Sequence, residues 1–385
     1  QACVLKTHCS FFWLLCPVRH GPMAFTEVPC VDWNHLQVDR PRFLRDLEHA
    51  LCVAGFAVLL HVPGFDADFQ RSCFKEAHRF FALPDDVKNR YSINLSPQLR
   101  GWSKFFPETS GRVTIATEAF QLGPQKESPP PSAPIHHRML RGANLWPAEE
   151  VPELEQNIST LHTRYIGLAR DLGALICEML AVDHQIYESF FELCDPPDYI
   201  AAMNLNPPPS SYSVPYRAQV EAALAEPRGA GAHVDGAPFV SLLIADQPGL
   251  EVVSGTAGWV PVPLIEGSVC VNIGASLMKM SGGRCAATVH RVNPLKPDPT
   301  LPRVSLPFFM MPKLDGPLVP FNGVPTAPPG YPVRNRAFEY VNDRWNLFPA
   351  AARAHYAAEV EHVRAALVKA ECEREEARRR RASKL

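Results

Sequence analysis

The sequence lacks the features that mark several protein classes. No two of its eleven cysteines stand as a Cys-x-x-Cys pair, and their number is odd. That argues against a disulfide framework and for a reducing compartment, with most thiols buried in apolar surroundings. No apolar run reaches the ~18 residues of a membrane span. The best short run, Phe11 to Val18, follows Lys6 and imitates a weak signal peptide. Neither charge dominates: Lys+Arg 38 against Asp+Glu 40 gives a net charge of −2. The basic excess of a nucleic-acid binder is therefore missing. There is no Gly-x-x-x-x-Gly-Lys loop and no Gly-x-Ser-x-Gly elbow. Gly229-Ala230-Gly231 lacks the remaining glycine of a dinucleotide fingerprint and reads as a flexible approach to His233.

Proline, by contrast, is abundant: 39 of 385 residues, about twice the average usage. That excludes an all-helical bundle and implies a β-rich body with long ordered loops. A hydrophobic fraction of 46% in a chain of this length supports a sizeable core. The sequence begins with Gln1, and Met23 opens the first stretch that looks folded, so residues 1–22 read as an unstructured extension.

Along the chain, Val28 to Val62 reads as strand, helix, strand. Phe43, Leu44, Leu47 and Leu51 mark one face of a helix over Pro41–Val53 that Gly55 stops, and Phe56–Leu60 is a run of strand length. A second helix is expected over Phe69–Phe81, and a loop over Pro124–Pro134. The clearest helix spans Pro152 to about Val182, where Leu154, Ile158, Leu161, Tyr165, Leu168, Leu172, Leu175 and Met179 form a core-facing stripe. After Asp195 the texture changes to short apolar runs split by Gly and Pro. The strand candidates are Tyr199–Leu205, Phe239–Ala245, Leu250–Val253, Trp259–Val262, Ser268–Ile273, Thr288–Val292 and Val304–Met311. Such a series predicts a sandwich, barrel or jelly roll. Pro207 to Arg228 reads as a loop over a site mouth. The end is helical from Ala350 and highly charged over Glu371–Arg381, as a solvated helix is.

One His-x-Asp occurs, at His233-Val234-Asp235. It lies at the lip of the expected strand Phe239–Ala245, and in a strand residues i and i+2 face the same side. His290, 55 residues after Asp235, lies in another strand-like segment. Two imidazoles and one carboxylate on one face of a metal suit non-haem Fe(II) and O2; taken by itself, His290 reads as a satisfied core histidine. Thirteen residues further on, Arg303-Val304-Ser305 sets a guanidinium and a hydroxyl on one strand face. Next to the apolar Leu306–Met311, a buried charge there demands an anionic partner such as a carboxylate.

These residues resemble the Fe(II)/2-oxoglutarate-dependent dioxygenases of the isopenicillin N synthase-like branch. The resemblance runs from about Phe25 to Met311. It rests on His233-Val234-Asp235-Gly236, Val240–Leu243, Gly249–Val252, Trp259–Val262, Val271-Asn272-Ile273-Gly274, Ser281–Arg284, His290-Arg291-Val292 and Arg303-x-Ser305, in the family's order. Upstream, Val28–Asp32, Gly55-Phe56, Arg100-Gly101-Trp102 and Glu118-Ala119-Phe120 also fit. The resemblance implies a mostly β, α+β fold with flanking helices around a double-stranded β-helix (jelly-roll) core. It implies His233, Asp235 and His290 as the iron ligands, through which they are catalytic, and Arg303, Ser305 and Asn204 as binders of the cosubstrate. Two departures stand out. The tyrosines of the family's Asn-Tyr-Tyr-Pro segment are Leu205 and Asn206, and the Asp that follows Asn-x-Gly is Ala275.

The implied reaction couples oxidative decarboxylation of 2-oxoglutarate, with O2 and supportive ascorbate, to oxidation of a small-molecule substrate. Ni²⁺, Cu²⁺ and Zn²⁺ are expected to compete with iron. Two alternatives stay open: a same-fold iron oxidase that does not use 2-oxoglutarate, and an inactive metal-bound binding protein. Phe105, Phe106, Phe308, Tyr212 and Tyr216 are candidates for substrate contact or for ordinary packing. The expected organisation is 1–22 extension, 23–190 N-terminal region packing on the core, 195–315 jelly-roll core and 316–385 charged C-terminal segment. The terminal Ser383-Lys384-Leu385 matches a peroxisomal address, implying an import receptor as partner and a peroxisomal, otherwise cytoplasmic, location. A monomer without nucleic-acid or membrane partners is expected.

Overall fold

The structure, a computed structural model, describes residues 24–104, 115–183, 197–226, 231–312, 321 and 353–361. Phe105, Phe106 and the Ser-Lys-Leu end lie outside the described residues. The N-terminal half runs β1 (Cys30–Asp32), α1 (His35–Val38), α2 (Arg40–His49), β2 (Phe56–Leu60), α3 (Ala67–Phe81), α4 (Asp85–Lys88), β3 (Gly101–Lys104), β4 (Glu118–Leu122), α5 (Ile135–Leu140) and α6 (Leu154–Met179). The second half runs β5 (Tyr199–Asn206), α7 (Val214–Ala225), β6 (Val240–Ala245), β7 (Leu250–Ser254), β8 (Gly258–Pro261), β9 (Val269–Ile273), α8 (Ala275–Met280), β10 (His290–Val292) and β11 (Arg303–Met310). Among the described residues, no helix is long and apolar enough to cross a membrane.

Eight strands form one sheet in the order β1-β2-β9-β6-β11-β5-β4-β3, and β10-β7-β8 form a second. The large sheet thus takes strands from both halves of the sequence. Its two faces follow from the period-2 alternation of each strand. Val304, Leu306, Phe308 and Met310 of β11, with Leu242, Ile244, Val271 and Met203, pack beneath α3 and α6 in the main core. The alternate residues Phe56, Val58, Leu243 and Cys270 face Leu250, Val252, Val260 and Val262 of the small sheet. This is the jelly-roll interior.

Phe308 belongs to the helix-facing core and not to the interior, so of its two expected roles, substrate contact or ordinary packing, it has the second. Its ring lies 4.7 Å from Tyr199, 5.3 Å from Tyr165 and 5.9 Å from His162. A buried ring of this kind is worth about 3–5 kcal/mol relative to alanine. The stretch Pro207–Arg228 is corrected: it contains α7, started by Ser213 Oγ accepting from Tyr216 N and by a proline in the first turn.

Buried His162 carries a pH dependence. Burial, then the charge of Arg100, lowers its pKa from 6.5 to about 3. The unfolded chain therefore takes up a proton below pH 6.5 that the folded protein does not, so stability is lost as pH falls from 6.5 toward 3, by up to about 1.4 kcal/mol per pH unit. Urea unfolding at pH 7 and pH 5 is expected to show this loss in the wild type, and a smaller one in His162→Gln.

Candidate metal centre

The interior face of the large sheet builds the site. Ser241 of β6 pairs with Asn272 of β9, and both are buried. Ser241 Oγ and Asn272 Nδ2 donate to the same oxygen, Asp235 Oδ2, at 2.7 and 2.8 Å. That leaves Oδ1 directed at two imidazoles. His233 Nε2 lies 3.6 Å and His290 Nε2 3.7 Å from it. The ligand-type atoms of His233, Asp235 and His290 all fall within 4.8 Å of one another.

His233 and Asp235 precede β6 rather than lying in a strand. What brings His233 to His290 is an isolated antiparallel bridge, closed by His233 N to His290 O at 3.0 Å and His290 N to His233 O at 2.9 Å. Each imidazole is held through its other nitrogen. His233 Nδ1 meets Gly231 O at 2.7 Å and His290 Nδ1 meets Thr288 O at 3.1 Å. With those nitrogens donating, both Nε2 lone pairs are available to a metal. Phe56 packs edge-on against the His290 ring at 5.2 Å. Gly274 lets the chain pass tightly behind: a Cβ there would lie 2.0 Å from Pro238 O. Ala275 N, one residue on, donates to Asp235 O at 2.8 Å.

Burial opposes the charge on Asp235, but His290, His233 and the Asn272 amide hold its carboxyl well below the usual range. Burial, then the nearby His233, lowers His290 to about 4 against the pull of Asp235. Asp235 and His290 are nearly inaccessible, whereas the His233 side chain is 56% exposed, so the trio opens on one side. A neutral imidazole pair and an ionised carboxylate are the protonation states a divalent metal needs, and the donor set suits Fe(II).

Arg303 and Ser305 lie on the same interior face, with Ser305 opposite Asn204 of β5 on one side and Ala245 of β6 on the other. Arg303 is 2% exposed, and burial lowers its pKa to about 10 against the opposing field of Asp246. Its Nε donates to Gln247 O and Pro248 O at 3.2 and 3.1 Å. Its Nη1 is buried with no hydrogen-bond partner. Arg303 also lines a cavity of about 330 Å³ between the sheet, the Ala67–Phe74 part of α3 and the segment Val262–Ser268, a cavity that none of His233, Asp235, His290, Asn204 or Ser305 lines. A buried guanidinium nitrogen without a partner fits a ligand carboxylate.

Asn206 faces Arg303 across the strands. Its amide is already engaged, donating to Thr117 Oγ1 at 3.0 Å and Ala116 O at 3.3 Å. Tyr216 ties α7 to the same segment: Ala116 N donates to its hydroxyl at 2.6 Å, and the Tyr212 ring stacks edge-on against it at 5.0 Å. The sequence reading missed the clamp of Ser241 and Asn272 on Asp235. Asn272 stood in the quoted Val271–Gly274 motif, but its partner is a matter of strand pairing. Asn272→Ala is expected to lower metal affinity about 10–100-fold, the cost of losing an orienting partner, while a thermal melt shows the protein still folded. Titration with Co²⁺ in visible absorption reads the affinity.

Comparison with known proteins covers both halves. Residues 28–149 match the family described as non-haem dioxygenase in morphine synthesis N-terminal, and residues 210–312 match the 2OG-Fe(II) oxygenase superfamily. A 2-oxoglutarate-dependent dioxygenase of Gibberella zeae is 29% identical over 302 residues, 74% of each chain. Among solved structures, a 2OG-Fe(II) oxygenase family protein from Caulobacter crescentus superposes with a TM-score of 0.66 at 24% identity, over 84% of this chain and 99% of that one. Neurospora crassa T7H, solved in complex with alpha-KG, gives 0.63 at 22% identity, over 82% and 95%. These two show the fold. With the N-terminal and catalytic-half families both matched in order, the chain belongs to the 2OG-Fe(II) oxygenase superfamily.

Proposed function

We propose that the protein is an Fe(II)- and 2-oxoglutarate-dependent oxygenase of a small molecule, with His233, Asp235 and His290 as its iron ligands. The observation that carries the cosubstrate assignment is the buried, unpartnered Nη1 of Arg303, on the interior face that also bears the Asp235 clamp. When bound, iron and 2-oxoglutarate supply the oxidising chemistry: O2 is consumed, 2-oxoglutarate becomes succinate and CO2, and a substrate C–H bond is oxidised.

The chain's own contribution is placement. Gly231 O and Thr288 O set the imidazoles so that both Nε2 atoms face Asp235. Ser241 and Asn272 hold one carboxylate oxygen and release the other for the metal. Arg303 supplies the positive charge for the distal carboxylate of 2-oxoglutarate, with the Ser305 hydroxyl and the Asn204 amide on neighbouring strands as further polar partners. Asn206 replaces a tyrosine of the family pattern, and with its amide engaged it leaves Arg303 as the principal anchor. Phe56, Val58, Leu243 and Leu250 give the interior an apolar wall. The fold of T7H, which binds alpha-KG, supports this reading.

The test is succinate formation from 2-oxoglutarate by protein given Fe(II), ascorbate and air, with His290→Ala as the control. Succinate above the control supports the proposal. Bound iron without succinate, across a panel of candidate substrates, favours the same-fold oxidase that does not use 2-oxoglutarate.

A further inference from the structure

We propose that the cavity beside α3 is a second ligand site, built for a small carboxylate with an apolar body. A gap in the large sheet makes room for it. Strand β6 pairs with β9 only from Val240 to Leu243, opposite Ile273 to Cys270. Ile244 and Ala245 continue β6 without a β9 partner, and there the start of α3 and the segment Val262–Ser268 close over the opening. The space between them, about 330 Å³, falls in the range of small-molecule pockets, about 300–1,000 Å³. Gln70 holds the two walls together: its buried amide donates to Phe65 O, just ahead of α3, and to Ser268 O, both at 3.0 Å. Ser268 N and Oγ in turn donate to Ile265 O at 3.0 and 2.6 Å. Leu264 and Ile265 in this turn are 45% and 39% exposed and both line the cavity, so its entrance is apolar.

The charged groups in the lining are not evenly matched. Glu266 pairs with Arg71, which joins the turn to α3. Asp246 accepts from Val304 N at 2.8 Å and meets His78 Nε2 at 2.6 Å. Both acids are therefore engaged. Arg303 is 2% exposed, and its Nε donates to the carbonyls of Gln247 and Pro248, two residues that also line the cavity. That sets the guanidinium at the cavity wall, where its Nη1 is buried without a partner. A buried cation with an unmade hydrogen bond selects an anion, and a carboxylate suits its geometry. Phe74, Leu243, Ile244 and Val262 give the rest of the chamber apolar walls, which select an apolar body behind that carboxylate.

None of His233, Asp235 and His290 lines this cavity. A ligand seated in it reaches Arg303 without touching the metal trio. Its effect is to take the cosubstrate's anchor, so it competes with 2-oxoglutarate while resembling it only in one carboxylate. That competition rests on the assignment of Arg303 to 2-oxoglutarate; the cavity site stands without it.

The test is titration calorimetry of sodium octanoate into the full chain, both metal-free and loaded with one equivalent of Zn²⁺, which has no redox chemistry of its own. One site is expected in both states. Octylammonium, with the same apolar body and the opposite charge, is expected not to bind. Arg303→Met is expected to weaken octanoate by about 30-fold or more, the loss of a buried charge-assisted pair. Ile265→Asp removes apolar contact at the entrance and adds a like charge. It is expected to weaken octanoate about 10-fold and to leave 2-oxoglutarate binding to the Zn²⁺-loaded protein unchanged. Saturating 2-oxoglutarate is expected to displace octanoate from the Zn²⁺-loaded wild type. The proposal is overturned if octanoate does not bind, if it binds only with Zn²⁺ present, or if either variant binds it as tightly as the wild type. Octanoate that binds as expected and is not displaced by 2-oxoglutarate would uphold the cavity site and overturn the assignment of Arg303 to the cosubstrate.

Discussion

Asp235→Ala is expected to lose Fe(II) binding and succinate formation together, with turnover down by more than the 10–100-fold that an orienting partner costs. Its carboxylate is the point on which the site converges: both His Nε2 atoms approach Oδ1, and both clamp donors occupy Oδ2. Two imidazoles alone leave a weaker and less charge-compensated site for a divalent cation. The fold is expected to survive, because the strands that carry Ser241 and Asn272 are held by ladder bonds and by the helix-facing core. Each orphaned donor costs roughly 1–3 kcal/mol. Isothermal titration with Fe(II) under anaerobic conditions, a succinate assay and a thermal melt separate loss of the metal from loss of structure. Wild-type succinate formation by the variant would refute the ligand assignment.

Arg303→Met is expected to divide stability from cosubstrate affinity. Losing one partner of a buried, charge-assisted pair costs about 2–5 kcal/mol, which raises the 2-oxoglutarate requirement about 30-fold to several thousand-fold. Without cosubstrate two effects oppose each other. The guanidinium is buried, its pKa is depressed mainly by that burial, and one of its terminal nitrogens has no partner, so its removal relieves a desolvation cost. It also strips the Gln247 and Pro248 carbonyls of their donor. The variant should therefore melt close to the wild-type temperature in the absence of 2-oxoglutarate, while its KM for 2-oxoglutarate rises steeply. An unchanged KM with a lowered melting temperature would make Arg303 a structural residue that serves Gln247 and Pro248 carbonyls and nothing more.

Much of the fold was legible because its signals are local. The stripe from Leu154 to Met179 has helical period, and the helix is there over Leu154–Met179. The seven apolar runs from Tyr199 on are short, punctuated by Gly and Pro, and each overlaps an observed strand. The helix over Val214–Ala225 was not legible from periodicity, because only Val220 of it is buried. Its Ser213 cap and Pro215 were the usable signal, and they sat among prolines that read as loop. Strands Gly101–Lys104 and Glu118–Leu122 went unassigned as strands, since four or five residues carry too few alternations to register.

The sequence by itself determined the kinds of residue available: one His-x-Asp, a distant His290, and an Arg-x-Ser pair beside an apolar run. Residue type, order and spacing along the chain are local properties, so they survive without coordinates. The tertiary structure alone decided which of them meet. The bridge between His233 and His290 joins residues from separate segments, and the Ser241–Asn272 pairing supplies the clamp on Asp235. Strand register then assigns sides: β11 turns Phe308 to the helices and Arg303 to the interior. A shift of one residue would exchange those two faces. Such relations depend on hydrogen bonds between strands far apart in sequence, which no period or motif within a single segment encodes.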